Sequence, residues 1–194
     1  MSPMAVAPPQ SEKEQQIAAA ALRVFSRYGL KRATMNDIAE EAGVVRQTLY
    51  NVFANKDEVI HGTLLFYKAG LRQTVADAWR TADSLGEKLD LFFEHYILCS
   101  WDAARQTPDA AELETSSLTS IKTAMREADA ATEEMLTELF MPHTDALTQN
   151  GQDPQSFAIF VNATLIGLKH NTDDRDALTA HLAALKAVIL HLIR

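Results

Sequence analysis

Arg46, Gln47 and Thr48 stand in a row just past Gly43, and Tyr50 and Asn51 follow in the same short run. These side chains hydrogen-bond more than they carry charge. Arg can donate to both acceptors of a guanine edge, Gln can pair with adenine, and a Thr methyl can touch that of thymine. Tyr50 and Lys56 could reach phosphates. So could Thr34, because the amides at the start of a helix attract anions. The chemistry on offer is recognition of base edges and phosphates. A helical hairpin with a polar surface would explain the same residues without any partner.

Other chemistry is sparse. The 6 histidines, His61, His95, His143, His170, His181 and His191, show no metal-ligating spacing. His143 with Asp145 is the nearest pair. There is no phosphate-cradling glycine loop, nucleophile elbow or paired-carboxylate motif. The expectation is a non-enzyme with neither metal nor cofactor. Phe92, His95, Tyr96, Cys99 and Trp101 share one helical segment. They could wall a ligand pocket with His95 and Tyr96 as polar anchors, although aromatic stripes at this spacing more often form core. Leu71, Val75, Met125, Met135 and Phe157 could join such a wall, and methionine would suit an apolar ligand. Cys99 is expected to be buried and inert rather than a redox sensor.

The elements that must position these residues are helices. Only 7 Gly and 6 Pro occur among 194 residues, 47% of them hydrophobic, and no strand-like alternation stands out. Ser11 with Glu14 forms a capping box, followed by Ile17, Ala21, Val24, Phe25 and Tyr28 at helical spacing, with Gly29 as the stop. Thr34 with Asp37 opens a second helix, which Gly43 ends. A short third helix spans about 46–52. Asn55 with Glu58 opens a long fourth helix to about Arg80, and Ser84 with Glu87 a fifth. Thr107-Pro108 starts the next. The helical pattern then continues to Asn150, with a break expected near Arg126–Ala131 and an interruption at Pro142. Gly151 stops it, Asp153-Pro154 starts another, and Asp173 or Asp174 caps the last. About nine helices result, an all-α chain.

The net charge of −8 argues at first against a polyanion partner. From Leu22 to Lys56, however, six basic residues (Arg23, Arg27, Lys31, Arg32, Arg46, Lys56) face three acids (Asp37, Glu40, Glu41). That segment carries +3 and the remainder −11. Asp57 and Glu58 lie just beyond it, so chance clustering stays open.

The last two helices have wide apolar faces. One stripe is Leu178, Leu182, Leu185, Ile189 and Leu192, widened by Ala180, Ala184, Ala187 and Val188. The other holds Phe157, Phe160, Val161, Thr164, Leu165 and Leu168, with small Ala163 and Gly167. Two such helices from each of two chains would make a four-helix dimer interface, with Phe160, Thr164, Gly167, Leu182, Leu185 and Ile189 as its candidates. The alternative is burial inside one chain. The single Cys99 allows no intrachain disulfide and fits a reducing cytosol. The opening "MSPMAVAPPQ" lacks a basic residue and an apolar run long enough for a signal peptide or a membrane span. A short disordered arm at 1–10 and a cytoplasmic location are expected, with no membrane partner.

A helix, a glycine turn and a short polar helix have helix-turn-helix spacing. The second helix of that motif enters the DNA major groove with its N-terminal residues leading. Residues 11–59 further resemble the DNA-binding domain of the TetR family of transcriptional repressors. The run is "AAALRVFSRYGLKRATMNDIAEEAGVVRQTLYNVFANKDEV". Its marks are Phe25, Tyr28-Gly29, Thr34 with Ile38-Ala39, Ala42-Gly43-Val44, and Thr48-Leu49-Tyr50 through Phe53 to Lys56. Beyond that quarter of the chain only the helical pattern agrees.

The resemblance implies an all-α homodimer that presents one recognition helix to each half of a roughly palindromic, double-stranded operator. It places Thr34, Arg46, Gln47, Thr48, Tyr50 and Lys56 at positions where the family commonly touches DNA. It also implies dimerisation through the last two helices, a small-molecule effector in the larger domain, and motion of the fourth helix on binding. The implied division is a helix-turn-helix domain at 11–55 and a ligand-binding and dimerisation domain at 56–194. Two departures stand out. Val45 occupies the N-cap of the third helix, where the family often has Ser or Thr and where valine offers no oxygen. Asn51 and Val52 replace an aromatic residue and a histidine, and Asn51 adds a further polar contact. A small-molecule-binding helical protein that no longer reads DNA is the alternative function.

Overall fold

The computed structural model describes residues 11–106 and 119–193. The expected arm at 1–10 and the expected helix start at Thr107-Pro108 lie outside them. Among the described residues the regular structure is helical, and no strand occurs. Two compact units emerge. Their described parts are 11–67 with 106 and 119–124, and 68–105 with 125–193.

In the first unit, α1 (Glu12–Arg32), α2 (Met35–Glu41) and α3 (Arg46–Val52) pack on one another. The capping boxes at Ser11 and Thr34 are both formed. Ile17, Ala20, Ala21, Val24, Ile38 and Leu49 are buried between the three helices. Gly29 adopts a positive φ of 76°, as its place demands, yet it does not end α1. One more helical turn, Leu30–Arg32, follows the kink. The fourth helix, α4 (Lys56–Trp79), starts where Asn55 Oδ1 accepts the Glu58 N–H at 3.0 Å. The Glu58 carboxylate answers by accepting the Ala54 N–H at 2.8 Å.

The second unit contains the later part of α4, α5 (Leu85–Phe92), a π-helical turn (Phe93–Leu98), α6 (Cys99–Gln106) and most of α7 (Thr119–Phe140). It also contains α8 (Thr144–Gln149), α9 (Pro154–Asn171) and α10 (Arg175–Leu192). Ser84, Asp153 and Asp174 cap α5, α9 and α10. Contrary to the expected break near Arg126–Ala131, α7 runs uninterrupted. That stretch holds neither Gly nor Pro and is rich in alanine, the best helix former. The interruption comes at Pro142, in a 3₁₀ turn over Met141–His143. At Gly151 (φ 71°) the Gly151 and Gln152 N–H groups close back on Thr148 and Leu147. The core gathers Leu89, Phe92, Leu136, Phe140, Leu165 and Leu178, all fully buried. Phe92 stacks on Tyr96 at 5.1 Å, and Phe140 meets Phe157 edge-on at 4.9 Å.

The π-turn is continuous with α5 and α6. Its signature is the Cys99 N–H donating to the Glu94 carbonyl, five residues back. Such insertions shift which side chains share a face and recur at functional sites.

Candidate nucleic-acid interface and ligand cavity

The α2-turn-α3 unit is held by backbone geometry. Gly43 (φ 63°) donates its N–H to Glu40 O at 3.0 Å, and Val44 donates to Ala39 O at 3.0 Å. This paired closure requires a left-handed residue at the turn. From α1, the Gln16 side-chain amide donates to Ala42 O at 2.8 Å and fixes the same corner. Leu49 and Phe53 anchor α3 from below. Val45 supplies no side-chain cap, yet α3 begins on time, because the Val45 carbonyl accepts from Thr48 at 2.9 Å and from Leu49 at 3.3 Å. Val45 itself is 69% exposed.

Above that anchor, the polar side chains of α3 are arranged in pairs four residues apart. The Arg46 guanidinium lies 5.7 Å from the Tyr50 ring centroid. Gln47 Nε2 donates to Asn51 Oδ1 at 2.9 Å. All four residues are exposed, and Thr48 is half-buried. One helical surface therefore offers a cation, an amide pair and a phenol in preset positions.

Thr34 and Lys56 are committed inside the protein. The Thr34 hydroxyl donates to the Asp37 carboxylate at 2.7 Å and accepts the Asp37 N–H at 3.2 Å. That hydroxyl, and then the Thr34 N–H, hold the Asp37 carboxyl below its ordinary value. Lys56 Nζ donates to Lys31 O at 3.3 Å, and partial burial lowers its pKa against the pull of Asp57 and Asp37. The basic segment is also less bare than its count. Glu41 takes Arg23 at 2.7 Å and Arg27 at 3.6 Å, and the Arg23 hydrogen bond leads in lowering the Glu41 carboxyl.

The second unit has a cavity of about 90 Å³ lined from several helices. Lys68 comes from α4, Tyr96 and Ile97 from the π-turn, Ser100 from α6, and Met125 and Asp129 from α7. Asn162, Leu165, Ile166, Lys169 and His170 come from α9. Thr132 donates to Ala128 O at 2.8 Å, so the Tyr96 hydroxyl donates to Thr132 Oγ1 at 2.7 Å. Lys68 Nζ sits 4.9 Å from the Tyr96 ring centroid, and Asn162 Nδ2 donates to Glu133 at 3.2 Å. Burial raises both the Tyr96 phenol and the Asp129 carboxyl, the latter with the neighbouring Glu133 and against the pull of Lys68, Lys169 and His170.

Of the aromatic segment singled out in the sequence, only Tyr96 reaches this cavity. Phe92 is core. Trp101 is buried with its N–H on Thr172 O at 3.3 Å and the Arg105 guanidinium 3.5 Å from its ring. His95 lies outside the lining, and Cys99 is exposed rather than buried. Tyr96, Ile97 and Ser100 share one face of the segment at positions i, i+1 and i+4, whereas His95 and Cys99 lie four residues apart on another. Met125 was legible as a candidate. Lys68, Asp129, Asn162 and Lys169 were missed, because no local spacing links residues so far apart in the chain.

The candidates for the dimer face divide. Leu182 and Ile189 are buried inside the chain itself, at 2% and 1% exposure, because α10 packs on α5, the π-turn and α9. They cannot present a free surface. Phe160 is 58% exposed, while Thr164, Gly167 and Leu185 are half-buried. The outward apolar positions include Ile159, Phe160 and Ala163 on α9, and Ala184, Ala187 and Val188 on α10. Among the described residues, no group of His, Cys, Asp and Glu could hold a metal ion. No helix there is long and apolar enough to cross a membrane.

Residues 17–62 match the family described as bacterial regulatory proteins, tetR family. Over 53 residues the chain is 45% identical to the HTH-type transcriptional regulator TtgR of Pseudomonas putida, covering 27% of this chain and 25% of that protein. Over 96 residues it is 33% identical to the HTH-type transcriptional repressor KstR2 of Mycolicibacterium smegmatis, covering 48% and 45%. The chain thus spans between a quarter and a half of the curated relatives it matches. The fold extends further. The fatty acid degradation regulator FadR from Bacillus halodurans aligns over 93% of this chain and 95% of its own, with a TM-score of 0.66 at 23% identity. Residues 17–62 thus carry the sequence of the tetR-family N-terminal domain.

Proposed function

We propose that the chain is a dimeric transcriptional repressor, acting in the cytoplasm, that reads an inverted-repeat operator through α3 and is released by a small-molecule effector. The observation that carries this reading is the exposed, paired set Arg46–Tyr50 and Gln47–Asn51 on a helix anchored by Leu49 and turned by Gly43. Arg46, Gln47 and Thr48 lead that helix and read bases, while Tyr50, Asn51, Lys56 and Thr34 serve the backbone. Lys56 and Thr34 exchange their internal hydrogen bonds for phosphate oxygens in doing so.

The first domain, 11–55, binds DNA, and the larger one, 56–194, binds the effector and pairs two chains. The outward apolar positions Ile159, Phe160 and Val188 support the pairing, because an exposed apolar patch on helices marks an interaction surface. The cavity supports the effector. The name of the relative KstR2 supports repression. An effector that prefers a conformation unsuited to DNA lowers operator affinity by that difference in binding free energy.

The test is selection of binding sites from random duplex DNA by the purified chain. An enriched inverted repeat is expected, with affinity falling about 10³–10⁵-fold between 50 and 200 mM salt for a protein making ~6–10 phosphate contacts. If no motif emerges even at low salt, the chain is instead a helical small-molecule-binding protein that no longer reads DNA.

A further inference from the structure

We propose that Val45 is a specificity-determining residue of the DNA surface, its isopropyl group reading the C5-methyl of a thymine in the major groove. This rests on the α3 reading above and adds to it a residue outside the polar set. The contact belongs to the side chain and not to the amides of the helix start.

Three observations converge. The first is exposure. Tyr28, Val45 and Tyr50 are the large apolar side chains that the first unit exposes among its described residues, and Val45, at 69%, is the most open. Each tyrosine carries a hydroxyl, and its ring centroid lies 5.7 Å from an arginine guanidinium, that of Arg27 or Arg46. Val45 has only carbon to offer. The second is cost. Val45 holds the N-cap of α3 without a side-chain hydrogen bond, and aliphatic residues rank far below Ser, Thr, Asn and Asp in that place. The folded chain thus gives up a cap there and buries little of the side chain in return.

The third is position. Backbone hydrogen bonds hold Val45 from both sides. Val44 donates to Ala39 O at 3.0 Å, and the Val45 carbonyl accepts from Thr48 at 2.9 Å and from Leu49 at 3.3 Å. A β-branched side chain is also restricted at χ1, so the isopropyl group has little rotamer freedom to lose on contact. Arg46 and Gln47 engage Tyr50 and Asn51, one turn further on. Val45 therefore stands at the leading end of α3, the end that enters the groove first. Thymine alone among the four bases presents an apolar group on its major-groove edge, the methyl. Two apolar groups that meet there release water, the ordinary hydrophobic gain.

The experiment is a deoxyuridine scan. The full chain first selects sites from random duplex DNA. Each thymidine of the recovered motif is then replaced singly by deoxyuridine, which removes the methyl and keeps the hydrogen-bonding edge. Affinity is measured at fixed salt for the wild type, Val45→Ser, Val45→Asn and Thr48→Ser. At one position the replacement should cost the wild type about fourfold, the worth of one buried methyl group. The same replacement should leave Val45→Ser and Val45→Asn unmoved, while Thr48→Ser should still feel it. That pattern separates Val45 from the methyl of Thr48. Serine and asparagine both supply a cap oxygen, so the two Val45 variants should melt no lower than the wild type. A motif with no methyl-sensitive thymine would overturn the proposal, and so would a sensitivity that survives both Val45 variants. Either result leaves the α3 reading standing. If no motif emerges even at low salt, the α3 reading fails and the proposal fails with it.

Discussion

Asp37 and Asp129 carry the same carboxyl group into opposite surroundings. Asp37 sits at the exposed start of α2, and the Thr34 hydroxyl and N–H hold it below the ordinary 3.8. Asp129 faces the cavity, where burial raises it above 3.8 despite three nearby cations. The two groups stand for their regions. At the start of α2 and on α3, the polar side chains are solvated and bonded to neighbours three or four residues away. Around the cavity of the second unit, they are brought together from distant helices and partly buried. A surface of the first kind suits a large polyanion that arrives with its own counterions. A cavity of the second kind suits a small partner that replaces lost solvation.

The comparison can be broken from its foundation upward. Leu49→Ala removes the fully buried anchor of α3 and should cost about 2–5 kcal/mol, read by urea or thermal unfolding. DNA retention should vanish with it. A cost below about 1 kcal/mol, under the usual range for such a truncation, would mean that the α3 surface does not depend on its anchor.

Next comes the surface itself. Arg46→Ala should cost about 1–3 kcal/mol of operator binding and relax preference at one base pair, whereas Lys56→Ala should weaken all sequences alike. Affinity measured on a panel of single-base operator variants distinguishes the two. Uniform loss from Arg46→Ala would make Arg46 a phosphate contact instead. A smaller effect is expected from Thr34→Ala, which removes the cap of α2 and should cost about 1 kcal/mol of stability. The Asp37 carboxyl should then titrate closer to its ordinary value, visible by NMR.

The smallest and sharpest test is pH. The depressed folded pKa of Asp37 means its stabilisation is complete above the unfolded value and is lost as pH falls through the folded one. The raised folded pKa of Asp129 has the opposite sign. Stability declines as pH rises from the unfolded value, near 3.8, through the folded one. Comparing stability curves of the wild type and Asp129→Asn isolates this contribution. The variant should gain on the wild type as pH rises through that window. A variant that loses ground instead would show that Asp129 is stabilised as an anion, and the contrast between the two regions would fail.

The sequence by itself determined what hydrogen bonds within a few residues can decide. Ser11, Thr34, Asn55, Ser84, Asp153 and Asp174 each bond a backbone N–H two or three positions on, so their helices start where those residues stand. Gly43 and Gly151 turn the chain because only a left-handed residue closes those corners. The candidate DNA surface was legible for the same reason, since its pairs lie four residues apart on one helix. The family run covers that region and no more. Only the tertiary structure decided the rest. It carried α1 one turn past Gly29 and set a π-turn inside a segment that reads as plain helix. It turned Leu182 and Ile189 inward while leaving Phe160 and Val188 outside. It also gathered Lys68, Tyr96, Asp129 and Lys169 around one cavity. These outcomes follow from packing summed over many distant side chains, and the spacing of residues along a chain does not encode that sum.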